Sequence, residues 1–160
     1  MMIREVKDPI PVLEGILECL LIGYRYDAAG GSLELVTDNW KEPGADRTFL
    51  RVRFGNVSNF KRIRGLVAKF QRFTSSYSVR ARPGTFVVQR VRIDQGTRPM
   101  RIFLGFEDDF GGIEFSCDSL VAHSRSALAT KRKDEEKWDY RDADDGTPLD
   151  FHEPFNDPFG

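Results

Sequence analysis

The chain is poor in the residues that do metal, redox and nucleophilic chemistry. Its 160 residues hold two cysteines, Cys19 and Cys117, and two histidines, His123 and His152. The histidines have no cysteine or second histidine at ligand spacing, so no metal site is expected and no cofactor is implied. The cysteines sit in apolar contexts and read as free buried thiols rather than a disulfide framework. Long hydrophobic runs are missing as well. The longest, Cys19-Leu20-Leu21-Ile22, falls far short of the ~18–20 residues a membrane helix needs. No cleavable signal pattern opens the chain, and the expectation is a cytoplasmic protein without membrane contact. Glycine-rich phosphate loops are absent too: Gly30-Gly31 and Gly111-Gly112 read as hairpin turns.

Charge is present in quantity and is segregated. The net charge is −1, but residues 1–46 carry four bases against nine acids, and residues 47–105 fourteen bases against the single acid Asp94. Residues 106–160 reverse the sign, with six bases and fifteen acids. Segregation on this scale speaks to partners, solubility or internal pairing rather than to fold.

Local periodicity outlines the elements. Asp8-Pro9-Ile10-Pro11 precedes apolar residues at helical spacing, which predicts a short amphipathic helix over about 9–19. Period two then runs through Ile22, Tyr24 and Tyr26, and after Gly30-Gly31 through Leu33 and Leu35, the pattern of a hairpin. Past Pro43-Gly44, Leu50, Val52 and Phe54 alternate with Phe49, Arg51 and Arg53 as a strand. Residues 59–73 place Ile63, Leu66, Val67, Phe70 and Phe73 near one helical stripe and read as a second helix. Residues 75–84 are turn-rich, and 86–94, 101–106 and 113–122 read as strands. Beyond His123 the chain becomes densely charged and then acidic and proline-punctuated. The expectation is an α+β domain over 1–123, an antiparallel meander of about five or six strands with one or two packed helices, followed by an acidic, aromatic tail over 124–160.

Several groupings invite a chemical reading and fail it. Ser116, Cys117, Asp118, Ser119 and His123 are close in sequence, but period two sends Cys117, Ser119 and His123 to one strand face and Ser116 and Asp118 to the other. Glu107, Asp108 and Asp109 read as a solvated hairpin tip. Asp142, Asp144, Gly146 and Glu153 mimic part of a calcium loop, yet glycine stands at the fifth position and Pro148 at the seventh. No catalytic set is found, and the protein is expected not to be an enzyme.

The basic middle and the tail remain as candidate partner-binding residues. Arg51 and Arg53, Arg80 and Arg82, and Arg90 and Arg92 are pairs at spacing two, so each pair projects from one strand face. Together they would make a multi-strand arginine surface, suited to phosphate or carboxylate. In the tail, Phe151, Phe155 and Phe159 recur every fourth residue, with Pro154 and Pro158 between them forbidding a helix. Such a tail either docks into a groove of its own domain or serves a partner as a linear motif, and the cost of exposing three phenylalanines favours docking.

The order of elements resembles that of small bacterial immunity proteins that accompany secreted toxins. The resemblance rests on Gly31-Ser32-Leu33-Glu34-Leu35, on Phe49 through Val57, and on Gly112-Ile113-Glu114-Phe115-Ser116-Cys117, and spans about residues 20–57 and 100–123. It implies a non-enzymatic inhibitor that binds a protein partner, a cognate toxin, and occludes its active surface. The alternative expectation is a nucleic-acid-binding module that uses the arginine face.

Overall fold

Strands Leu20–Asp27, Ser32–Asp38 and Arg47–Gly55 (β2, β3, β4) form a continuous antiparallel meander. The alternation that predicts them is set by which side chains meet the opposing sheet. The computed structural model describes residues 3–39, 46–63, 78–80 (backbone only), 87–106, 111–133, 138–151 and 153–155. Of these, 63% lie in strands and about 5% are helical, with no helix of seven residues or more. The expected α+β domain with packed helices is therefore corrected to a sheet-dominated antiparallel fold.

The remaining elements are β1 (Arg4–Glu5), α1 (Pro9–Glu14), β5 (Ser58–Ile63), β6 (Ser78–Arg80), β7 (Val88–Asp94), β8 (Met100–Phe106), β9 (Gly112–Cys117), β10 (Ser119–Lys131), β11 (Trp138–Asp142) and β12 (Pro148–Leu149). The larger sheet has the order β12-β11-β10-β4-β3-β2-β6, with β1 also paired to β10. The smaller has the order β5-β9-β8-β7. The stretch from β5 to β9 thus supplies all four strands of the second sheet, touches the first only through β6 at its edge, and returns through β10, which pairs with β4 over Ser119–Ala127.

The sheets meet through one apolar layer. Leu33, Leu35, Leu50, Val52, Phe54 and Ala122 from the larger sheet pack against Ile102, Leu104, Ile113, Phe115 and Cys117 from the smaller, and Leu13 and Ile16 close one end. Phe54 and Phe115 meet edge to face with centroids 4.8 Å apart, a geometry favoured by the ring quadrupoles. The opposite face of the larger sheet carries a second cluster, in which Leu20, Ile22, Phe49 and Ala127 pack with Phe155 and the partly buried Phe151.

Both predicted helices need correcting. Helix α1 stops at Glu14 instead of running to about residue 19. Glu18, at φ 67, donates its amide to the Val88 carbonyl at 2.6 Å, and the Val88 amide donates to the Cys19 carbonyl at 3.0 Å. The start of β7 thus takes these backbone groups in sheet-like pairing. The expected helix over 59–73 is strand β5 through Ile63, and residues 64–73 lie outside the described residues. Phe60 decides this, because its ring stacks on Tyr26 at 4.1 Å while β5 pairs with β9. Asn59, at φ 52, sits within a register shift of that pairing, and asparagine tolerates the left-handed region. The residue 123/124 boundary falls inside the thirteen-residue strand β10, and β11 and β12 continue the same sheet.

Candidate functional site

Period two, expressed through the ladders of the smaller sheet, assembles one exposed charged face. On β7, Arg90, Arg92 and Asp94 stand opposite Gly105, Phe103 and Arg101 of β8, while Val91 and Ile93 point to the core. On β9, Glu114 stands opposite Phe103, and Lys61 of β5 stands opposite Glu114. Arg92 lays its guanidinium over the Phe103 ring, 5.5 Å from the centroid, a cation–π contact that holds the cation flat on the sheet. Arg101 bonds to Glu114. Arg90 makes no ion pair with a described residue and finds room because Gly105, lacking a Cβ, lies beneath it. A shallow groove of about 320 Å³ runs between Arg92, Asp94, Arg101, Phe103 and Glu114.

The outer face of the larger sheet is also charged, and it is covered around Asp38, Arg47, Arg51 and Arg125 while Arg53 stays partly exposed. Arg51, only 4% exposed, holds its guanidinium 5.1 Å from the centre of the Phe155 ring. Arg53, on the same face, donates from Nε to Glu34 Oε2 at 2.6 Å. Asp38 and Arg47 are paired at 2.8 Å, both buried, and Arg47 lies over the rings of Tyr140 and Phe151 at 5.5 and 5.6 Å. Arg125 donates from Nε to Asp142 Oδ2 at 2.7 Å and from Nη1 to the Pro154 carbonyl at 2.8 Å. Burial pushes the Asp38 carboxyl up to about 6, with Arg47 working the other way. At Asp142 burial also raises, but hydrogen bonds from Arg125 and from the amides of Asp144 and Asp145, together with the Arg125 charge, hold the carboxyl below its usual range.

The predicted residues therefore divide. Arg51, Phe151 and Phe155 meet in the buried cluster, with Arg53 beside them, whereas Arg90 and Arg92 lie on the outer face of the other sheet. The backbone of Arg80 borders β2 in β6; Arg82 and Phe159 lie outside the described residues. Asp38, Arg47 and Arg125 were not among the candidates, and Asp142 entered only as part of a calcium-type loop. One signal for Arg125 was present, since Val121, His123, Arg125 and Ala127 continue period two past the expected end of the strand.

The other groupings are separated or used locally. The predicted strand over 113–122 breaks at Asp118, which places Cys117 in the core of the smaller sheet and Ser119 and His123 on β10 of the larger. Burial lifts the Cys117 thiol to about 11, Asp118 adding to the effect, and this suppresses the thiolate that nucleophilic chemistry requires. Residues 107–110 lie outside the described residues. Asp142 uses Oδ1 to accept the amides of Asp144 and Asp145, a turn of aspartate type. Among the described residues no group of three or more His, Cys, Asp and Glu side chains could hold a metal ion, and no helix is long and apolar enough to cross a membrane.

No protein-family model, curated protein or solved structure matches this chain.

Proposed function

We propose that the chain is a non-catalytic cytoplasmic binding module of the toxin-immunity type, which presents the outer face of the β5-β9-β8-β7 sheet to an acidic patch on a protein partner. The observation that carries this reading is the exposed set Arg90, Arg92 and Arg101 around Phe103, on a sheet whose backbone is internally paired. Guanidiniums pair bidentately with carboxylates, and a central aromatic ring among cations has the composition of an interface anchor. Glu114 and Asp94 lie between the cations and would repel a phosphate backbone while meeting lysine or arginine on a protein. Mixed signs of this kind set register and orientation. The resemblance to immunity proteins supplies the partner class, a toxin whose active surface is covered.

The reading is tested with three full-length chains: wild type, Arg90→Glu/Arg92→Glu, and Arg53→Glu as a control on the other sheet. Each is immobilised and challenged with lysate of the source cell. A stoichiometric acidic protein should be retained by wild type and control and lost with the double reversal. The complex should then re-form from the purified pair. Retention of single- or double-stranded oligonucleotide instead, with a log–log salt slope near −0.7 to −0.9 per phosphate neutralised, would replace this reading with nucleic-acid binding.

A further inference from the structure

The smaller sheet ends on strand β7, which pairs with β8 along one side. Its other side is taken only at the start. The Glu18 amide donates to the Val88 carbonyl, the Val88 amide donates to the Cys19 carbonyl, and Leu20 stands opposite Val87. At Glu18, whose φ is 67, the chain turns away. Among the described residues no strand or turn continues along Val91 and Ile93.

The direction of the backbone groups along this edge follows from β8. The Leu104 carbonyl faces β9: a Cβ on Gly112 would lie 2.5 Å from its oxygen. In an antiparallel pair, directly opposed residues either exchange both hydrogen bonds or both point away. Val91 stands opposite Leu104, so its amide and carbonyl point to the open side, and by alternation those of Ile93 do the same. The side chains of Val91 and Ile93 are only half-buried, at the border of the inter-sheet layer they share with Leu13 of α1. Arg90, Arg92 and Asp94 are exposed on the outer face. Asp94 gives Oδ1 to the Gly96 amide at 2.9 Å and keeps Oδ2, while Arg90 and Arg92 make no ion pair with a described residue.

An open edge is a template for another strand, and cations on it ordinarily keep copies apart. One register of β7 against a second β7 turns those charges to attraction. With the strands antiparallel and Val91 opposite Ile93, every free amide and carbonyl of the two residues meets its complement, and the two side chains pack together on the core side. The same register sets Arg90 opposite Asp94 of the second copy, twice, in the closely spaced kind of pair. Arg92 falls opposite its own counterpart, but its guanidinium is drawn back from the seam over Phe103 of β8. Neighbouring registers lose the match. Val91 opposite Val91 sets Arg90 against Arg92, and Ile93 opposite Ile93 runs off the strand, which ends at Asp94. We infer that β7 is a self-association edge, through which two copies of this chain join their smaller sheets into one continuous sheet about a twofold axis at Arg92. The axis stands perpendicular to the sheet, so the two arginine faces lie side by side on one surface. The inference goes beyond the proposed function and stands whether or not that face meets an acidic partner. A single strand pair is a small interface, so monomer and dimer exchange and concentration sets the balance.

The test is sedimentation of full-length chains over a concentration series. The wild type should show reversible exchange between monomer and dimer. Arg90→Asp and Asp94→Arg should each weaken association by about tenfold or more, since every dimer trades two attractive pairs for two repulsive ones. An equimolar mixture of the two variants should associate again, because each substituted residue then faces the opposite charge across the seam. A wild type that stays monomeric at every concentration, variants that dimerise as the wild type does, or a mixture that fails to recover would each overturn the inference. A second measurement needs no variant: the amides of Val91 and Ile93 should gain protection from hydrogen exchange as concentration rises. Protection independent of concentration would overturn the edge. Protection gained only in a complex with another protein would make that protein's strand the occupant and overturn self-association.

Discussion

Arg125 on β10 and Asp142 at the end of β11 meet at 2.7 Å, and neither has more than 4% of its side chain open to water. Each partner uses its remaining bonding capacity on a different piece of chain. Asp142 accepts the amides of the turn that follows it, and Arg125 donates to the carbonyl of Pro154. One buried pair thereby joins the long strand, the C-terminal turn and the tail. Two charges out of water are costly unless the geometry and the surrounding hydrogen bonds compensate, and here both do.

Removing one partner should cost more than removing both. Asp142→Ala is expected to lower stability by about 3–5 kcal/mol, since it strands a buried guanidinium. Arg125→Met combined with Asp142→Leu should recover most of that loss. Urea denaturation of the two variants decides it, and a double variant as unstable as the single one would refute the pairing as the source of the cost.

Asp38 should give stability an unusual pH dependence. Its folded carboxyl, at about 6, binds its proton more tightly than the ordinary value of 3.8. Its contribution therefore favours the fold fully below the ordinary value and is lost as pH rises through about 6. Asp38→Asn mimics the protonated form. The unfolding free energy of the wild type should fall relative to that of the variant between pH 4 and pH 7.5, on top of a pH-independent cost for the buried Arg47 guanidinium left without its carboxylate. A difference that does not change with pH would contradict this assignment.

Truncating an aromatic ring should cost different amounts on the two faces of the larger sheet. Phe54→Ala, in the closed layer between sheets, should cost about 3–5 kcal/mol because it leaves a cavity. Phe155→Ala, in a segment outside the strand ladders, leaves a space the chain can settle into and should cost closer to the transfer of its ring, about 1.5–3 kcal/mol. Chemical denaturation with equal losses at both sites would show that the tail is as fixed as the core.

Gly112 should resist any side chain. A Cβ there would lie 2.5 Å from the Leu104 carbonyl oxygen, a backbone atom held by the β8–β9 ladder. Gly112→Ala is expected to destabilise by about 1–3 kcal/mol through overpacking. Melting of this variant beside Gly96→Ala, on the exposed turn before β8, separates crowding from a general effect of replacing glycine.

Both thiols should be silent in the folded protein. Cys19 and Cys117 are free and buried, and burial lifts each to about 11, nearby Asp38 and Glu18 adding to it at Cys19 and Asp118 at Cys117. A disulfide reagent at pH 8 should titrate no thiol in native buffer and two in 8 M urea, the concentration being about that needed to unfold a small domain. Rapid native reaction of either would mean that its surroundings open.

Much of the strand pattern was local and hence visible. Leu33 and Leu35, then Leu50, Val52 and Phe54, alternate because one side of each strand meets a second sheet, and a period of two records that in the residues themselves. The same alternation placed Arg51 with Arg53 and Arg90 with Arg92 on single strand faces. Residues 59–63 were misread because the apolar positions from 59 to 73 fit a helical stripe. The strand that forms is stabilised by Phe60 on Tyr26 and by pairing with β9, contacts between residues distant in the chain.

The sequence by itself determined an alternating, sheet-forming chain with its cations in the middle, its acids at the ends and phenylalanines spaced by four in the tail. Only the tertiary structure decided that Arg51 is buried beneath Phe155 while Arg90 stays exposed, and that Arg125 finds Asp142. The physical reason is that periodicity assigns a residue to a face, but which face is covered depends on strand order and on where the excursion from β5 to β9 folds back. Neither leaves a mark in the local pattern.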